Sequence, residues 1–73
     1  IMSVHDFVMN ILKTHGAVTL ILTDSKGRDV LAEADNKWDF LDLLDDYGYR
    51  DAKLLCVDVD YHDPVIWIYA NIM

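Results

Sequence analysis

Seventy-three residues make one domain, 1–73, with a single thin core, because a chain this short buries only about 60% of its unfolded surface; that size argues against a deep substrate pocket. The apolar fraction of 53%, with one proline and three glycines, excludes a disordered or low-complexity chain. Thirteen acidic against six basic residues, a formal net charge of -7, disfavours direct binding to a nucleic-acid backbone and suits a basic protein surface or a cation as partner.

Ser3 followed by Asp6 is an N-cap with an acid three residues on, and Val4, Phe7, Val8, Ile11 and Leu12 then form one apolar stripe. A first helix is expected, closed by Gly16 as its C′ residue, with His5 within it and His15 favoured near its end; both histidines read as structural. Residues 18–24 alternate as a strand, Asp24, Ser25, Lys26 and Gly27 supply turn chemistry, and 28–34 return as a second strand. Asn36 with Asp39 then mirrors Ser3 with Asp6, opening a second helix over about 37–47 that Gly48 ends. Residues 53–60 and 65–70 are strands three and four, joined by a turn ending in Pro64, where no ladder donor is needed.

The expected fold is α+β, in the order α-β-β-α-β-β, with a four-stranded, mainly antiparallel sheet and two helices on one face. The halves 3–34 and 36–72 repeat one plan, which suggests internal duplication of an α-β-β unit. The longest apolar run, 65–70, is too short to span a bilayer, and the opening residues lack the basic region of a signal peptide; Ile1 before Met2 reads as a cloning remnant. Cys56 stands alone, so no internal disulfide is available and a reducing, cytoplasmic setting is expected.

Two surfaces stand out as candidates for binding. The second helix places Asp39, Asp42 and Asp46 at spacings of three and four, with Asp35 before it and Asp45 beside them. Phe40, Leu41, Leu43, Leu44 and Tyr47 point the other way, so the acids face solvent. Asp45 and Asp46 also sit in the last turn, where the helix dipole disfavours an anion. Such a run is either an ordinary solvated face or a row of short-armed carboxylates that imitates nucleic-acid phosphates in a cationic groove, with Trp38 as anchor. Trp38 could equally fold back on the preceding loop.

The second surface is the sheet, whose strands read as apolar on both faces. Leu20, Leu22, Leu55, Val57, Ile66 and Ile68 make one; Ile21, Leu31, Leu54, Cys56, Trp67 and Tyr69 make the other. Helices cover only one face, so Ile21, Leu31, Leu54, Trp67 and Tyr69 are a second candidate surface, for a homodimer or a seated partner. The plainer account has the sheet twisting, with Ile72 and Met73 covering part of it.

Chemistry has weaker signals. Asp58, Asp60, His62 and Asp63 resemble a metal site, but a calcium loop would need glycine where Asp63 stands and a bidentate glutamate where Tyr69 stands. At most one imidazole is present for a transition metal, so turn chemistry is preferred, and a metal-dependent enzyme using Asp58, Asp60 and His62 is the remote alternative. Ser3 and Ser25 read as a cap and a turn residue, Cys56 lies mid-strand without a base nearby, and no phosphate loop, zinc spacing or dinucleotide fingerprint occurs. No cofactor, metal or catalysis is expected. In size and charge the chain resembles the small acidic inhibitors that phages and mobile elements direct against host nucleases, anti-restriction and anti-CRISPR proteins among them. The resemblance carries no residue over. It implies a phage-type nuclease inhibitor or adaptor, with a basic protein as partner and no membrane or direct nucleic-acid contact.

Overall fold

In the computed structural model, which describes residues 1–14 and 16–72, the two most apolar strands take the centre of a four-stranded sheet. β1 (Thr19–Thr23) and β4 (Val65–Asn71) pair in parallel, setting Leu20 beside Ile66 and Leu22 beside Ile68. β2 (Val30–Ala34) and β3 (Lys53–Asp60), which carry Glu33, Asp58 and Asp60, pair antiparallel to them on the outside, in the order β2-β1-β4-β3. Central strands are paired along both edges and edge strands meet water along one, so charge settles at the edges. The sheet is therefore mixed but mainly antiparallel. The halves take inequivalent places in it, since β1, the first strand of one hairpin, and β4, the second strand of the other, are central.

The helix α1 (Val4–Asp6) starts as expected, with the Ser3 hydroxyl accepting the Asp6 N–H at 3.1 Å. It then widens into a π turn, Phe7–Ile11, in which the Leu12 N–H reaches the Phe7 carbonyl at 2.8 Å, and Leu12 is already extended. The first helix thus ends well before Gly16, which is not its C′ residue. Its last carbonyls are met from across the fold: Lys37 Nζ donates to the carbonyls of Met9 and Leu12 at 3.3 and 3.4 Å, a cation where the dipole is negative. The wide turn also rotates Ile11 out to solvent, while Val4 and Val8 remain fully buried. His5 is buried beside Asp6, Nδ1 to Oδ1 being 3.7 Å. His15 and Met73, expected at the helix end and over the sheet, lie outside the described residues.

The helix α2 (Lys37–Tyr47) matches its sequence signals. The Asn36 side chain accepts the Asp39 N–H at 2.9 Å, and Gly48 closes the last turn in the left-handed region, φ 79°, its N–H directed to the Leu44 and Asp45 carbonyls. Phe40, Leu41 and Leu44 point inward to Leu20, Leu22, Ile66, Ile68 and Ala70, so both helices pack on one face of the sheet around one cluster. Burying Phe40 alone contributes about 1.5–3 kcal/mol. Among the described residues, no helix is long and apolar enough to cross a membrane.

Two β-bulges overturn part of the expected sheet faces. Leu22 pairs with Ala32 but Thr23 with Val30, so Leu31 is skipped. Leu54 pairs with Ala70 but Cys56 with Tyr69, so Leu55 is skipped. An extra residue reverses the alternation from that point. Leu31 and Leu54 therefore pack against the helix-side core and do not belong to the outer face, while Leu55, expected inside, is 52% exposed.

Candidate functional site

The acidic residues singled out on α2 are placed together and face water. Asp35, Asp39, Asp42, Asp45 and Asp46 are all exposed. Asp35, Asp39 and Asp42 line one open groove with Glu33, Asn36 and Leu43, between α2 and β2. The geometry follows from helix periodicity: Asp39, Asp42 and Asp46 share a face opposite Phe40 and Leu44, and β2 runs beside that face because it is the sheet edge α2 packs on. Glu33 borders the same groove from the edge strand β2, while its pairing with Ile21 turns its side chain to the outer face of the sheet, away from α2. Sequence periodicity along one element could not show this, since Glu33 and Asp42 are brought to one groove only by the packing of helix on strand.

The carboxylates differ in their ties. Asp39 Oδ2 accepts the Asn36 amide at 2.9 Å, which fixes its rotamer at the helix start. Asp35 Oδ1 accepts the Thr19 hydroxyl at 3.5 Å, a weak contact at that length. Asp45 is paired with Arg50 at 2.9 Å, and that hydrogen bond with the accompanying charge raises the Arg50 guanidinium above its ordinary range. Arg50 lies just past the Gly48 turn, a proximity visible in the sequence. Among the described residues this is the only pairing of a carboxylate with Lys or Arg. Glu33, Asp35, Asp39, Asp42 and Asp46 thus have no cationic partner within the described chain.

Trp38 stays 64% exposed at the first turn of α2. Lys37 Nζ lies 5.7 Å from its ring centroid, within cation–π range, and the ring shares a groove with Thr14, Ala17 and Val18 on the loop before β1. Its face is neither buried nor wholly free. Lys37 itself is drawn toward the first helix by the Met9 and Leu12 carbonyls, away from the acidic row.

On the other side of the sheet, Ile21, Trp67 and Tyr69 occupy the outer face as a short central strip. It is narrower and better covered than expected. Ile21 is only 7% exposed, Trp67 and Tyr69 are half-buried, and the flanking positions are Glu33 opposite Ile21, Asp58 opposite Trp67 and Cys56 opposite Tyr69. The β1–β2 loop folds over one end: a side chain on Gly27, φ 69°, would meet the Tyr69 ring at 2.8 Å. Asp24 holds that loop, its Oδ1 accepting the N–H groups of Arg28 and Lys26 at 2.9 and 3.1 Å. The Arg28 bond is the main reason its carboxyl lies below the ordinary range.

Around the β3–β4 turn, Asp58 and Asp60 alternate onto the outer side, and Asp60 Oδ1 accepts the His62 N–H at 3.0 Å. That is turn chemistry. Among the described residues, no three His, Cys, Asp or Glu side chains are grouped to hold a metal. The chain matches no protein-family model, no curated protein and no solved structure.

Proposed function

We propose that this chain is a non-catalytic binding module, an inhibitor or adaptor whose α2 carboxylates occupy a cationic site on a nucleic-acid-handling protein. The observation that carries the reading is the row Asp35, Asp39, Asp42 and Asp46, all exposed and none ion-paired among the described residues. A surface evolved only for solubility intersperses the two signs. Here the nearest bases are used elsewhere, Arg50 on Asp45 and Lys37 on the first helix.

A rise of about 1.5 Å per residue separates Asp39 from Asp42 by roughly 4.5 Å and Asp42 from Asp46 by roughly 6 Å along the helix. One DNA strand carries a charge about every 3.4 Å. The row is therefore sparser than a phosphate strand, and Asp35 extends it beyond the start of the helix. Trp38 supplies an aromatic anchor at one end. A dimer through the outer sheet face has less support, because Ile21 is buried and acids and Cys56 flank the aromatic pair.

The test is affinity capture from a lysate at low and high salt, with the wild type beside a variant carrying Asp39→Asn, Asp42→Asn and Asp46→Asn. The expected result is a basic partner, retained at low salt, released at high salt and lost by the variant. A partner held equally by both proteins, or self-association alone, overturns the reading.

A further inference from the structure

The edge of the sheet farthest from the acidic groove is β3, and it is only partly occupied. The N-terminal segment pairs with its beginning: Ser3 bridges Lys53, the Leu54 N–H donates to the Met2 carbonyl at 2.9 Å, and the Val4 N–H donates to the Ala52 carbonyl at 2.8 Å. The chain then turns into α1 and leaves the edge. From Leu55 to Asp60 no described strand pairs on this side, so half of the backbone donors and acceptors there meet solvent.

The side chains along this stretch are sorted by face. On the outer side, Asp58 and Asp60 flank a groove with His62 and Trp67. On the helix side, Val59 and Tyr61 line a mostly apolar groove with Val18, Pro64 and Val65, which Lys13 and Asp60 also border. Val59 is exposed and Tyr61 is 89% exposed. A strand laid along this edge places alternate side chains in the two grooves. Those on the outer side meet carboxylates. Those on the helix side meet mostly apolar surface, where Lys13 offsets the charge of Asp60.

We infer that the free edge of β3, residues 55–60, is a strand-addition site for an extended segment whose side chains alternate basic and apolar. A second copy of this chain is the wrong occupant. Antiparallel pairing of two β3 strands through 58–60 sets Asp58 and Asp60 of one copy against those of the other on one face, and directly opposed like charges destabilise a sheet pair. The same carboxylates that guard the edge against self-pairing select a basic strand. Asp58 has no ion-pair partner among the described residues, and its neighbour across the ladder, Trp67, offers a ring for the stem of a lysine or arginine. The site lies on the opposite sheet edge from β2 and the acidic groove, so it stands or falls separately from the role given to α2.

The test uses the full chain, isotope-labelled, titrated at low salt with a short end-capped peptide of alternating Lys and Val. Two further peptides of the same sequence carry N-methyl groups either on the lysines alone or on the valines alone, so that one of them loses the N–H groups that face β3 and the other loses those that face away, with the charge unchanged. The expected result is saturable shift changes and slowed amide exchange at residues 55–60, with no binding of the peptide whose N-methyl groups face β3. Asp58→Asn with Asp60→Asn should weaken binding roughly twofold to tenfold. Shift changes centred on α2, equal binding of the N-methylated peptides, or no saturable change at millimolar peptide overturns the inference.

Discussion

Gly27→Ala should destabilise this protein more than Gly48→Ala, and the difference measures whether the β1–β2 loop lies on the outer face of the sheet. Both glycines are left-handed, φ 69° and 79°, and an alanine there costs about 1–2 kcal/mol for the backbone alone. At Gly48 the new methyl group meets nothing within 4 Å, whereas at Gly27 it meets Tyr69 Cε2 at 2.8 Å. Tyr69 is half-buried beside Thr23 and Cys56 on the neighbouring strands, so displacing its ring from the new methyl group carries an overpacking penalty of about 1–3 kcal/mol. The totals are about 1–2 kcal/mol for Gly48→Ala and about 2–5 kcal/mol for Gly27→Ala. Total stability is about 4–11 kcal/mol at the usual 0.05–0.15 per residue. Urea unfolding with a slope of about 1 kcal/mol/M should show the midpoint falling at least about 1 M further for Gly27→Ala. Tyr69→Val in the Gly27→Ala background should recover the excess. Equal midpoints for the two glycine variants would refute the loop's placement, and with it the claim that the outer face is already partly covered.

Lys37→Met should speed amide exchange at the end of the first helix and lower stability by about 1 kcal/mol, because the Met9 and Leu12 carbonyls lose their donor; unchanged exchange there would show that the cap is not formed in solution. The lowered Asp24 carboxyl makes the hairpin loop pH-dependent. A depressed folded-state pKa contributes stability that is present above the ordinary value of 3.8 and lost as pH falls through the lower folded value. The melting-temperature advantage of the wild type over Asp24→Asn should therefore be constant near neutral pH and shrink below about pH 3.8, and an advantage that grows on acidification would contradict the bonding described. The Asp39, Asp42 and Asp46 to Asn variant should melt at the same temperature as the wild type or higher, since it removes like charges three and four residues apart on one helix. A large fall in its melting temperature would mean that these carboxylates serve the fold.

The parts of the fold legible in the sequence are those set by neighbours along the chain. Asn36, Asp39 and Gly48 mark α2 because capping is decided within a few residues, and the limits of β3 follow from apolar and charged runs that end at a turn. The outer-face assignment of Leu31 and Leu54 failed because a bulge depends on which partner residue each one meets, which alternation within one strand does not encode. The early end of the first helix has the same origin: Lys37, which donates to the carbonyls there, is 25 and 28 residues away. In the candidate site, the row on α2 was visible as spacing, while Glu33 entered only through the packing of α2 beside β2. The pairing of Asp45 with Arg50 across a tight glycine turn could have been anticipated from proximity, and it removes one carboxylate from the free row.

The proposed function makes the carboxylates of α2 the binding determinant. The most direct measurement is the affinity of the captured partner for the wild type and for the Asp39, Asp42 and Asp46 to Asn variant across a salt series, with folding of both confirmed by their melting curves. Binding at least roughly tenfold weaker for the variant at low salt, with a shallower salt dependence, is the expected result. Equal affinity and equal salt dependence for the two proteins would contradict it.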